Sequence, residues 1–571
     1  MSTETPAAAP AASRRTDRFD AARRWASTYA PADLLAAGAI ALAGAVLLHW
    51  LSRLTFWRDE WGLLLHRRGW SVGTFLDPAV EHLVAIPILI YKLLLGVFGM
   101  SSPAPFQVVA VITFLASVVL LYLYVRARLG AWLALAAILP LLFLGPSWDD
   151  LLFPYQVTWF GSVACGLASL LCLERESRSG DIAATVLLVA GLLFSDAGIP
   201  FVAGAAVEIA LSPRRWERAF VPVVPAALWA VWYLGWGHTA HTFVSFDNAA
   251  NLPSYVLDGL GSSISAYLGL SQPFGVTQTP SLAWGRPLVV LLAGLAAWRA
   301  YQLRRPPNRV WVTLAILLCY WALTGLNSSV FGLPTAGRYQ YLGVVALALV
   351  ASELLRGARI GRWATTAILA VAILATLSNV TKLKDAAAGL AGIAQQTRGG
   401  LAALELARDT VDPALELNQQ NSGVDYIDLL DAGSYLSAVD AYGSPAYSAA
   451  ELPGAPEPAR IAADKVSGAA LRIHLRPASP GTAQRCLRVD AARSPSAPVP
   501  AGGFVIRAQG PGVQAGLRRY SRTSFPLSLG TLPPGTPQLL QIPPDHSSVP
   551  WTLQLTGSGQ AAVCPVGAPS P

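Results

Sequence analysis

Charge is scarce in this chain. Asp, Glu, Lys and Arg make up only 13% of its 571 residues, against about 25% in ordinary soluble proteins. That deficit excludes a single water-soluble globule of this length. Lysine is rarest, with Lys92, Lys382, Lys384 and Lys465 the whole set. Arginine in its place, with abundant alanine and glycine, fits a GC-rich genome. The net charge of +8 is not a nucleic-acid signal, because the arginines stand in short clusters between apolar runs. Cysteines number five and histidines seven, and no His/Cys spacing diagnostic of a bound metal occurs among them. No internal repeat of 20–50 residues is present.

What is abundant is apolar sequence: 53% of the residues are hydrophobic, and nearly all the long runs fall before residue 380. Residues 1–32 read as a disordered cytoplasmic N-terminus carrying Arg14, Arg15, Arg18, Arg23 and Arg24. The run at 33–51 is long enough to cross a bilayer. Arg53, Phe56, Trp57 and Arg58 follow it in place of a small-residue cleavage site, so it is expected to remain as a first span, with the N-terminus inside. Further runs lie at 106–125, 131–146, 156–173, 182–195, 199–211, 219–236, 286–302, 310–326, 339–355 and 362–379. The run at 83–99 carries Lys92 at its centre, which is costly in lipid, and is assigned to the outer face without crossing. This gives eleven spans and places five arginine clusters in the cytoplasm: Arg126/Arg128, Arg175/Arg178, Arg214/Arg215/Arg218, Arg304/Arg305/Arg309 and Arg356/Arg359/Arg362.

The same topology gathers polar residues outside: Asp59, Glu60 and His82 in the first outer loop, Asp149 and Asp150 in the second, Asp196 at a hairpin tip, Arg338 and Tyr339 before a late span. Residues 380–466 read as an outer helical linker whose helix breaks at Gly399-Gly400, with a short helix over Ala402–Arg408. Residues 467–571 alternate in short runs such as Ala470–Leu475, Gly503–Ala508 and Thr552–Leu555 between Pro, Gly and Ser, the pattern of a small β-sandwich. Cys486 and Cys564 fall in this outer, disulfide-permissive part and are expected to pair. Cys165, Cys172 and Cys319 lie in apolar runs, where packing is the simple reading.

Asp59-Glu60 after a first span, His82 followed by an apolar helix ending Val97-Phe98-Gly99, and Gly337-Arg338-Tyr339-Gln340-Tyr341 opening a late span together resemble the C-type (GT-C) membrane glycosyltransferase superfamily. That superfamily includes the protein O-mannosyltransferases and the lipid A aminoarabinose transferases. The resemblance covers about residues 33–360. It implies an α-helical polytopic membrane enzyme that moves a sugar from a polyprenyl-phosphate donor to an extracytoplasmic glycan, lipid or protein acceptor of the cell envelope. Many members carry His-Pro-Pro after the acidic pair, whereas His82 here precedes Leu-Val-Ala-Ile-Pro87, which leaves sugar and acceptor open. Asp59 is then the first choice of base and Glu60 the second, since transfer requires removal of the acceptor's proton. Arg338, with His82 and Tyr339, is the candidate for the donor phosphate, because guanidinium binds phosphate oxygens bidentately. Asp149, Asp150 and Asp196 are candidates for acceptor or metal binding, and a divalent cation such as Mg²⁺ or Mn²⁺ is an optional cofactor. Two other readings stand beside this one: a transporter or flippase of lipid-linked sugars, and a non-catalytic scaffold displaying a glycan-binding domain.

Overall fold

The computed structural model describes residues 31–79, 81–274, 277–328, 332–418, 430–478 and 486–566. The arginine-bearing segment 1–30, expected to be disordered, lies outside the described residues. The chain is helical up to residue 470 and ends in a β-sheet region. The longer helices are α1 (Pro31–Leu51), α2 (Ala85–Phe98), α3 (Ala104–Leu129), α4 (Ala131–Ile138), α5 (Val157–Leu173), α6 (Arg178–Phe194), α7 (Ile199–Ala210), α8 (Phe220–Gly235), α9 (Phe246–Tyr267), α10 (Leu282–Leu303), α11 (Asn308–Leu326), α12 (Gln340–Leu354), α13 (Arg362–Leu406), α14 (Ala432–Tyr442) and α15 (Glu457–Ala470). By length and composition, five helical stretches among the described residues can cross a membrane. These are Pro31–Leu51, Ala104–Leu129, Pro154–Leu173, Asn308–Leu326 and part of Arg362–Leu406. A bent pair, Ala131–Phe143 with Gly145–Leu151 at 46°, would make a sixth.

Solvent and lipid leave different marks on the surface. Large exposed apolar side chains recur along the helices as far as Leu374 and Leu377 on α13, and beyond them only Leu487 is exposed among the described residues. The apolar exterior therefore stops at residue 377, part-way along a helix. Within the bundle, charged groups concentrate at one end. Arg128 bonds Glu353 and Glu174, and Arg309 bonds Glu174 (2.9 Å) and Glu208 (3.2 Å). Arg218 forms a buried pair with Asp181 at 2.7 Å.

Helix α13 runs unbroken for 45 residues, so the boundary expected at 379/380 falls inside it. The break expected at Gly399-Gly400 is absent, and the stretch 402–406 is the same helix. The physical reason is tertiary packing. A Cβ on Gly399 would lie 2.1 Å from the Ala459 carbonyl of α15, so glycine here permits a close helix crossing. That contact outweighs the roughly 1 kcal/mol helix penalty of each glycine.

Beyond α15 two antiparallel sheets form. One has the order β5 (Ser496–Pro498), β10 (Thr552–Gly557), β7 (Val513–Arg518), β8 (Leu527–Thr531). The other has the order β3 (Leu475–Pro477), β9 (Gln538–Leu540), β6 (Phe504–Ala508), β11 (Gln560–Pro565), β4 (Leu487–Asp490). Alternate residues Val513, Ala515 and Leu517 of β7 and Leu553 and Leu555 of β10 are buried, in one core with Ile506, Leu540 and Ala561 of the second sheet. Cys486 and Cys564 are joined by a disulfide. A hairpin of β1 (Ser271–Phe274) and β2 (Thr277–Pro280) stands apart, between α9 and α10. The sheets are tied back to α15 through buried Asp464, whose carboxylate accepts the backbone N–H groups of Arg519, Tyr520 and Ser521 at 2.9–3.0 Å.

Candidate active site

The loop after α1 leaves that helix through a tight turn and reaches Arg58, whose φ is 46° and ψ −120°. A non-glycine residue in that region costs on the order of 1–3 kcal/mol. The strain coincides with a reversal that starts a one-turn helix, Asp59–Trp61, and lays the Arg58 guanidinium 4.4 Å over the Trp57 ring. Adjacent residues on a helical turn point about 100° apart, and the acidic pair is divided accordingly. Asp59 is half-buried, whereas Glu60 is fully buried. Both Glu60 oxygens are engaged: Tyr91 Oη donates to Oε1 at 2.9 Å, and the Trp57 N–H donates to Oε2 at 3.0 Å. Burial pushes the Glu60 carboxyl up to about 8, with the Asp59 charge adding to it and the two hydrogen bonds opposing it.

His82 lies where the loop enters α2. Its Nδ1 stands 3.2 Å from Asp196 Oδ2, and Trp229 Nε1 donates to Asp196 Oδ1 at 3.0 Å. Asp196 opens the short turn Asp196–Gly198 between α6 and α7. Burial lowers the His82 imidazole's affinity for a proton, but the Asp196 carboxylate outweighs it, aided by the charges of Glu81 and Asp59, so the net direction is up. Glu81 in turn accepts from Asn327 of the loop after α11. Lys92 of α2 points back to this loop and donates to the Arg67 carbonyl at 2.9 Å.

The segment between α4 and α5 supplies Asp149 and Asp150. It interlocks with the turn holding Arg338: Ser147 Oγ donates to the Gly337 carbonyl at 3.0 Å. A Cβ on Gly337 would meet Asp149 Oδ1 at 2.3 Å and the Pro146 carbonyl at 2.4 Å, so only glycine fits there. Burial pushes the Asp149 carboxyl up to about 6 against the pull of Arg338 and Arg58. Asp150 is raised well above the usual carboxylate range by burial and by Asp149 beside it. Arg338 lies 5.0 Å over the Tyr339 ring, and its Nη2 reaches Tyr339 Oη at 3.5 Å. That ring stacks on Trp159 at 6.0 Å.

These charges act on one another pair by pair. The Asp59 charge is felt at His82, and those of Arg58 and Arg338 at Asp149. Glu60 faces the interior, and Cys486 and Cys564 belong to the sheets. Two participants carried no sequence signal. Tyr91 sits in an apolar helix and contacts a partner 31 residues away, and Arg58 looked like an ordinary loop cation. Its strained backbone is visible only in the fold. Among the described residues no three His, Cys, Asp or Glu side chains group closely enough to hold a metal ion.

No family model matches the chain, and no curated protein matches it. Two solved structures are similar to it over 72% of this chain and 85% of theirs. They are ArnT from Cupriavidus metallidurans bound to undecaprenyl phosphate (13% identity, TM-score 0.44) and the same protein in the apo state (12% identity, TM-score 0.47).

Proposed function

We propose that this chain is a membrane glycosyltransferase that moves a sugar from a polyprenyl-phosphate donor to an acceptor on the outer face of the cell membrane. The observation that carries the reading is that Asp149 feels the charges of both Arg338 and Arg58, the residue directly before the half-buried Asp59. Transfer needs a base for the acceptor hydroxyl and a fixed cation for the departing phosphate. Asp59 suits the first role, because Glu60 is buried and committed to Tyr91 and Trp57. Arg338 suits the second, with Arg58 adding positive charge on the side of Asp149. In this reading Asp59 takes the acceptor's proton as its oxygen attacks the anomeric carbon. The bond from that carbon to the phosphate oxygen breaks, and the electron pair leaves with the lipid phosphate beside Arg338. His82, oriented by Asp196, donates a hydrogen bond to the phosphate or to the acceptor.

The residues fit a divalent cation poorly. Asp149 and Asp150 offer carboxylate oxygens without hydrogen bonds among the described residues, but Arg338 and Arg58 bear on the same carboxylate, and a second cation there would meet their repulsion.

In the topology that goes with this reading, eleven spans cross the membrane, α2 lies on the outer face and the sheets are outside. The Lys92 contact to the outer loop and the end of the apolar exterior at Leu377 support it. The test is envelope glycan composition in cells deleted for this chain and complemented with wild type, Asp59→Asn or Arg338→Ala at matched expression. Loss of one sugar that wild type restores and neither variant restores is the expected result. Full restoration by both variants would overturn the catalytic reading.

A further inference from the structure

Helix α14 belongs neither to the apolar bundle nor to the sheets, yet it lies directly on the loop that carries Asp59. Its C-terminal end is fixed to the outer end of α2. The Met100 N–H donates to the Tyr442 carbonyl at 2.7 Å. Gly99, at φ 69°, permits the approach, since a Cβ there would sit 2.5 Å from the same oxygen. Midway along, the Arg68 guanidinium donates to Ser437 Oγ at 3.3 Å. At its N-terminal end His66 Nε2 stands 3.9 Å from Asp431, the capping residue of α14.

Between these attachments Tyr435 is fully buried, with its ring edge-on to Trp61 at 6.0 Å between centroids and 79° between planes. Trp61 is the third residue of the turn Asp59–Trp61. Its other neighbour, Phe56, lies at 5.7 Å and packs on Phe106 of α3 at 5.2 Å. The phenol of Tyr435 donates to Glu405 Oε1 at 2.6 Å, and Ser444 donates to the same oxygen. Glu405 is on the last turn of α13, a helix that begins among the apolar spans. The acidic turn is therefore gripped from both sides, by the bundle through Phe56 and by the outer helices through Tyr435.

We propose that Tyr435 is a positioning residue: through Trp61 it sets where Asp59 stands, with its own orientation fixed by Glu405. This rests on the transferase reading above. A reacting group displaced by about 1 Å loses on the order of 10²-fold in rate, and Trp61 lies in the same turn as Asp59, two residues on. Glu405 and helix α14 are then working parts of the site, whatever the sheets beyond them do.

The experiment uses the complemented deletion strain, with expression kept low enough that restored sugar is proportional to protein. It compares wild type, Asp59→Asn, Tyr435→Phe and Tyr435→Leu. Folded protein is counted after detergent extraction and size-exclusion chromatography. Tyr435→Leu is expected to lower the sugar restored per folded molecule about 10-fold or more, and Tyr435→Phe, which keeps the ring on Trp61 but loses the bond to Glu405, to lower it about two- to three-fold. A merely structural role would reduce the number of folded molecules and leave the yield of each unchanged. That result, or full yield from Tyr435→Leu, overturns the proposal. If Tyr435→Leu does not fold, Tyr435→Phe decides: a loss of two- to three-fold per folded molecule at an unchanged melting temperature supports positioning, and an unchanged yield overturns it. Should Asp59→Asn restore the sugar fully, the transferase reading itself fails, an outcome distinct from failure at Tyr435.

Discussion

The phenol of Tyr91 closes on the carboxyl of Glu60 at 2.9 Å, and this contact separates two acids that are neighbours in sequence. One is fully buried and one half-buried. Asp59→Asn is expected to cost at least about 100-fold in activity, the usual contribution of a general base. Glu60→Gln keeps a carbonyl for the Trp57 N–H and offers its amide to Tyr91 Oη, which can accept, and should stay within about 10-fold, since a neutral hydrogen bond contributes only about 1 kcal/mol net. Sugar incorporation per molecule of extracted protein separates the two. Equal losses would remove the distinction.

The same burial makes a pH prediction. The Glu60 carboxyl titrates near 8 in the fold, against 4.5 when unperturbed. A group whose affinity for protons rises on folding adds stability that is complete below its unfolded value and is lost as pH climbs through the folded one. The melting temperature of the detergent-solubilised protein should therefore fall between about pH 5 and 8, with a shallower fall in Glu60→Gln. Parallel curves for the two proteins would contradict this.

Arg338 offers a test by conservative replacement. Lysine retains the charge but not the fork that matches phosphate oxygens. Arg338→Lys should recover part of the activity that Arg338→Ala loses, and remain below wild type by about 10-fold, equivalent to about 1.4 kcal/mol. A wild-type rate in the lysine variant would place the phosphate elsewhere.

Chelation is the simplest measurement. With guanidinium charge supplying what a cation would, excess EDTA is expected to leave transfer in washed membranes unchanged. Loss of transfer, restored by Mg²⁺ or Mn²⁺, would assign Asp149 and Asp150 to a metal.

At the other end of the bundle, Glu353 is fully buried beside Arg128. Glu353→Ala removes one of the two carboxylates on that guanidinium, leaving Glu174, and should destabilise the protein by up to about 3 kcal/mol. Replacing both residues with apolar ones of similar volume should cost much less. Thermal unfolding of the two variants checks the difference.

How far these features could be read in advance depended on their range. The acidic pair after the first span, the turn at Asp196 between two helices and the odd lysine of α2 are local patterns, and local patterns survive in sequence. The alternating runs at 503–508 and 552–555 likewise mark strands β6 and β10. Gly399-Gly400 misled because its helix-breaking tendency is local, while the Ala459 backbone that explains it lies 60 residues away. Which member of the acidic pair faces inward could not be read either. That choice is made by Tyr91 and by the backbone of Arg58, and neither leaves a trace in composition or periodicity.

Helix α13 carries a buried stripe, Leu383, Ala386, Leu390, Ala394, Thr397 and Leu401, at spacings of three and four. Because the helix never breaks, each residue fixes the azimuth of everything beyond it. Inserting one residue after Leu377 would turn the stripe by about 100° and swing it off its bed beside the Glu60 turn. Inserting seven would nearly restore the angle while lifting the stripe by about 10 Å. The number of residues between the apolar exterior and the sheets thus acts as a dial setting, and homologous chains that vary it would be expected to do so in whole turns.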